Sequence, residues 1–106
     1  MITTEPLGPG TLAVAVTGEV TFSNVSELER ALDGATNYVV DLTDVTFMDS
    51  SGLSTLITAS ARAREGGGTV ALVLTADEPP SIFRFRGVDR LLALYPSREA
   101  ALAGLS

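Results

Sequence analysis

Hydrophobic and polar positions along this chain follow two periods, and the switch between them marks its elements. Thr11-Leu-Ala-Val-Ala-Val-Thr17 alternates apolar and β-branched residues between the turn signals Pro9-Gly10 and Gly18, which predicts a strand. Met1 to Glu5 is expected to pair with it as an edge strand, joined through Leu7-Gly8-Pro9-Gly10. Asn24 followed by Glu27 has capping-box character, and Val25, Leu28 and Leu32 recur at helical spacing, so a helix is expected over 24–33, ending before Gly34. Tyr38-Val-Val-Asp-Leu42 is the short apolar run of a buried strand, followed by a polar stretch and Phe47-Met48.

From Ser51 the period lengthens. Leu53, Leu56, Ile57, Ser60, Ala61 and Arg64 share one helical face until Gly66-Gly67-Gly68 stops the pattern, giving the best-defined helix of the chain. Thr69 to Thr75 then reads as a central strand. Pro79-Pro80 open a short helical segment carrying Ile82, Phe83 and Phe85, which Gly87 terminates. Phe83 and Phe85 cannot both face a core at 3.6 periodicity. Leu91 to Tyr95 is expected to form the last strand and Ser97 to Ala103 the last helix. Strands and helices that alternate after an initial hairpin predict an α/β fold: one domain over 1–106, with a mixed, mostly parallel sheet of 4–5 strands and about four helices packed on it.

Composition removes whole classes of chemistry. With 106 residues the chain suits one core, and 45% hydrophobic against 19% charged residues supplies the apolar material for it. The net charge of −6 argues against direct nucleic-acid binding. His and Cys are absent, and all seven basic residues are Arg. That excludes a Ser-His-Asp triad, a thiol nucleophile, an N/S zinc site and a disulfide framework. No cofactor or metal is implied. No apolar run approaches the roughly 20 residues of a membrane span, and no basic stretch precedes Arg30 as a secretory leader would require, so a cytoplasmic protein without membrane insertion is expected. Charge is uneven: residues 1–49 hold eight acids and one arginine, net −7, while residues 50–106 hold five acids and six arginines, net +1. Arg84, Arg86 and Arg90 form a candidate basic patch, though a solvated helix face explains them as well.

The informative junction is Phe47-Met-Asp-Ser-Ser-Gly-Leu53, where a carboxylate, two hydroxyls and a glycine meet the amino end of the strongest helix. A helix start carries unpaired N–H groups and about half a positive charge, so it accepts a carboxylate, a serine cap or a phosphate. Asp49 or Ser50 therefore suits the N-cap. Capping does not require two consecutive hydroxyls behind an acid, and one of them is left free to react. Phosphorylation there would add a charge of about −1.5 to −2 beside Asp49.

Gly18-Glu19, Val39-Val-Asp-Leu42, Phe47-Met-Asp-Ser-Ser-Gly-Leu53 and Phe83…Gly87-Val88…Leu91 together resemble the STAS domain of bacterial anti-sigma factor antagonists over nearly the whole chain. That resemblance implies a phospho-switch without enzymatic activity. Unphosphorylated, such a protein binds an anti-sigma factor that is also a serine kinase, thereby freeing the sigma factor for transcription. Phosphorylation breaks the contact and a serine phosphatase restores it. Position by position, Ser50 matches the phosphoacceptor and Asp49 the acid beside it. Ser51, Gly52 and Leu53 match the start of the partner-facing helix, and Gly18-Glu19 the neighbouring loop, which continues here as Val20-Thr21 where related antagonists often carry a second acid. The chain has no lysine and no G-x-x-x-x-G-K-[ST] loop, so the kinase would be the partner.

Three other readings compete. A receiver domain phosphorylated on Asp41 or Asp44 would need a lysine, and there is none. A divalent-metal site from Asp41, Asp44 and Asp49 lacks the D-x-[DN]-x-[DN]-G spacing. The stronger alternative is a STAS-like scaffold that binds a partner or small ligand constitutively, for example as a subunit of a lipid-transport or stress-sensing assembly, with Ser50 acting only as a cap.

Overall fold

The computed structural model describes residues 1–74, 81–84 and 87–105. Strand β1 (Ile2–Pro6) runs antiparallel to β2 (Thr11–Val20), and β3 (Asn37–Met48), β4 (Val70–Val73) and β5 (Ala93–Tyr95) add in parallel, each beside its predecessor. The connections carry α1 (Val25–Ala31), α2 (Ser50–Glu65), a 3-10 turn (Ser81–Arg84) and the single-turn α3 (Val88–Leu91); α4 (Arg98–Leu105) follows β5. This is the expected single α/β domain with a mixed, mostly parallel sheet.

Parallel neighbours in sequence order, joined by right-handed crossovers, send every connecting helix to one face of the sheet. Leu28 from α1 and Leu32 at its C-cap, Leu56 and Ala59 from α2 and Val88 from α3 accordingly share one core with Val14, Val16, Val40, Leu42 and Leu72. The opposite face is thinner. There Val39, Ala71 and Val73 pack against Ala101 of α4. Because both faces are covered, β4 reads as an unbroken apolar run, and all four of its residues are buried. Leu56 is fully buried, and burying one such side chain contributes roughly 1.5–3 kcal/mol.

The polar stretch after Leu42 lies inside β3. Register shifts against β2 fall between Ala15 and Thr17 and between Gly18 and Glu19, each adding one residue to β3. Leu42, Val45 and Met48 thus reach the same core at a spacing of three. Period-two reading cannot see this, so the strand looked interrupted.

Asn24 precedes α1, yet its side chain does not cap it. Its Oδ1 accepts from the Thr21 N–H at 2.9 Å and its Nδ2 donates to the Glu19 carbonyl at 2.9 Å. The capping-box expectation is therefore corrected: Asn24 closes the loop behind it. Gly87, expected to end a helix, instead starts α3 in the left-handed region at φ 86°, and Leu91 belongs to that turn rather than to β5. Phe83 is buried; Pro79, Pro80 and Phe85 lie outside the described residues.

Candidate functional site

Asp49 is the N-cap of α2 in extended conformation. Its Oδ1 accepts from the Ser51 N–H at 2.9 Å and the Gly52 N–H at 3.3 Å, while Oδ2 accepts from the Phe22 N–H at 3.0 Å. One carboxylate thus ties the start of α2 to the loop after β2. The Asp49 N–H adds a second tie, donating to the Val20 carbonyl at 3.1 Å. Partial desolvation raises the Asp49 pKa. The Phe22, Gly52 and Ser51 N–H groups and the Ser51 hydroxyl outweigh it and hold the carboxyl below its ordinary range.

With the cap assigned to Asp49, Ser50 is the first helical residue, exposed, and its hydroxyl has no hydrogen-bond partner among the described residues. Ser51 is partly buried. Gly52 is buried for a steric reason: a Cβ there would come within 2.6 Å of Met48 Cγ and 3.0 Å of Val20 Cγ1.

The motif residues converge from two segments. Gly18, in the left-handed region at φ 85°, Glu19 and Ser50 are exposed, whereas Thr21, Asp49, Ser51 and Leu53 are partly buried. Val20 is a core residue at 3% exposure, so it supports the site from beneath and offers no side chain to a partner. Leu53 likewise packs against the core.

Sequence reading missed two aromatics. Phe22, 83% exposed, follows Thr21 directly, and Phe47, 46% exposed, stands opposite Glu19 on β3. A large apolar residue alone between Thr21 and Ser23 was the available signal. Asp41 is occupied elsewhere: it accepts from Arg98 Nε at 2.7 Å and from the Thr43 hydroxyl and N–H at 2.7 and 3.0 Å. Among the described residues no three acids cluster as a metal site would require. Of the expected arginine patch, Arg90 is exposed, while Arg86 and the Arg84 side chain lie outside the described residues. No described helix is long and apolar enough to cross a membrane.

The domain is thus a five-stranded mixed sheet covered by helices, with Asp49 capping α2 beside the exposed Ser50. Residues 4–94 match the family model described as Mlab, STAS domain, and the chain belongs to that family. The fold superposes on an anti-sigma factor antagonist from Mycobacterium paratuberculosis with a TM-score of 0.84 at 25% identity, covering 99% of this chain and 92% of that one. The anti-sigma factor antagonist SpoIIAA shares the fold in its unphosphorylated form, with a TM-score of 0.75 at 16% identity over 98% of this chain and 96% of that one. The phosphorylated form of SpoIIAA, from Bacillus, gives 0.71 at 17% identity over 100% of both chains.

Proposed function

We propose that this protein is an anti-sigma factor antagonist acting in the cytoplasm as a phospho-switch rather than as an enzyme. Unphosphorylated, it binds an anti-sigma factor serine kinase through the surface around Gly18, Glu19, Thr21 and the start of α2. Phosphorylation of Ser50 by that kinase releases it, a serine phosphatase restores binding, and sigma-factor-dependent transcription follows the balance.

The observation that carries this reading is the division of labour between Asp49 and Ser50. Because the carboxylate caps α2, the exposed hydroxyl is structurally idle and can be modified without loss of the cap. A dianion at the first helical position is tolerated by the helix dipole. On a docked surface the same dianion stands beside Asp49 and must be desolvated with it, a penalty of several kcal/mol that few single contacts offset. The fold's occurrence in SpoIIAA, which exists in phosphorylated and unphosphorylated forms, agrees with this use.

Incubation with magnesium, ATP and candidate anti-sigma kinases, followed by phosphopeptide mass analysis, tests the site: Ser50 should gain phosphate and Ser51 should not. Binding of Ser50→Ala but not Ser50→Asp is the matching equilibrium result. Equal binding by both variants would establish the constitutive scaffold instead.

A further inference from the structure

The far end of α2 holds a second polar site. A cleft of about 260 Å³ is bounded by Ser60 and Arg64 of α2, Thr69, and Arg90 of α3, with Val70 and Leu91 among its apolar walls. Ser60 is the one buried polar residue among those described, at 6% exposure, and its hydroxyl has no hydrogen-bond partner among them. A helical serine ordinarily satisfies its hydroxyl by bonding to the carbonyl four residues back or by facing water. This one makes no such backbone bond, and its oxygen is open to the cleft. Arg64 and Arg90 stand exposed at its margin without an acidic partner among the described residues.

These groups share one preference. Two guanidinium forks and a hydroxyl are donors suited to the oxygens of a phosphate, and the fork geometry allows paired bonds. Leu91, 48% exposed, and the partly exposed Ala93 beside it offer apolar contact to whatever the oxyanion is attached to. The cleft also lies within residues 60–93, in the half of the sequence that carries net positive charge while the first 49 residues carry −7. The charged side chains that line it are both arginines, in a chain whose net charge is −6.

We infer that this cleft binds a small phosphate monoester with a compact apolar body, held by Arg64, Arg90 and Ser60. The site is separate from Ser50 and independent of its modification.

Titration of the full chain with phenyl phosphate, followed by isothermal calorimetry and amide NMR, tests this. Saturable binding should appear at millimolar concentration or below, with shifts at Ser60, Arg64, Thr69 and Arg90. Arg90→Gln and Arg64→Gln should each weaken it about tenfold or more, Ser60→Ala should weaken it less, and Ser50→Ala should leave it unchanged. Inorganic phosphate should bind more weakly than phenyl phosphate. No saturable binding, unchanged binding in Arg90→Gln, benzoate binding as tightly as phenyl phosphate, or shifts confined to the start of α2 would each overturn the assignment. Arg64→Gln alters an exposed position, so its unfolding midpoint should fall by no more than a few degrees, the helix-dipole contribution of one last-turn charge, and keep the test interpretable.

Discussion

The two ends of α2 solve opposite electrostatic problems with different materials. At the amino end, free N–H groups meet a carboxylate from Asp49, and the adjoining exposed hydroxyl is left open to acquire negative charge. At the carboxyl end, backbone alone closes the helix. The Gly67 N–H donates to the Arg64 carbonyl at 3.1 Å and the Gly68 N–H to the Ala63 carbonyl at 2.7 Å, with Gly67 in the left-handed region, as in a Schellman motif. Arg62 and Arg64 in the last turn complement the carbonyl end of the dipole. A side chain makes the first end adjustable by chemistry, whereas the second is fixed by sterics.

That contrast sets the order of two glycine substitutions. Gly68 lies against the Thr36 carbonyl, so an added Cβ would collide with backbone that is itself hydrogen-bonded through the Thr36 N–H to Gly10. Gly68→Ala is expected to cost about 3 kcal/mol. For a domain of this size each kcal/mol lowers the melting midpoint by roughly 4 °C or more. At the other end, the Cβ of Gly52→Ala would meet Met48 and Val20 side chains. Met48 can change rotamer, so about 1–2 kcal/mol is expected. Thermal unfolding of the two variants side by side checks the ranking, and a larger loss at Gly52 would reverse the assignment of the rigid end.

Which parts of this were legible beforehand follows from the same physics. The amino end was readable as a motif because Asp49-Ser50-Ser51-Gly52 places distinct chemical types in sequence, but only coordinates decide which of Asp49 and Ser50 is the cap. Gly66 to Gly68 were readable as a stop because few other residues enter the left-handed region. The two added residues of β3 were not, since they move Val45 and Met48 off the alternation that signals a strand. Asn24 misled for a related reason: its side chain satisfies Thr21 and Glu19 behind it, and the capping pattern contains no information about that competition. Phe22 escaped notice because its role depends on a backbone N–H, which any residue would supply, reaching a carboxylate 27 positions away. The cleft at the far end joins residues separated by 30 positions, and no local pattern announces it.

The smallest expected effect concerns pH, and it separates the two ends most cleanly. Asp49 has a folded-state pKa below the ordinary aspartate value, so near that value the unfolded chain binds more protons than the folded one. The stabilisation from its ionised form is therefore complete above the unfolded pKa and is lost as pH falls through the folded one. Asp41, lowered against its own desolvation by Thr43 and Arg98, contributes in the same direction. Replacing Asp49 by Asn removes only the first contribution, so the stability gap between wild type and Asp49→Asn should narrow from pH 6 towards pH 3 while the Asp41 part of the acid limb persists in both. Arg64→Gln, at the opposite end, should run parallel to wild type over that range because arginine stays protonated throughout. A gap between wild type and Asp49→Asn that stayed constant to pH 3 would mean that the carboxylate charge contributes nothing and the cap acts by geometry alone. Ser50→Asp sharpens the test: in that background a second carboxylate beside Asp49 disfavours its ionisation and raises its folded pKa, so the narrowing on Asp49→Asn should be smaller and complete at higher pH. A switch that works by charge at this helix start requires that shift.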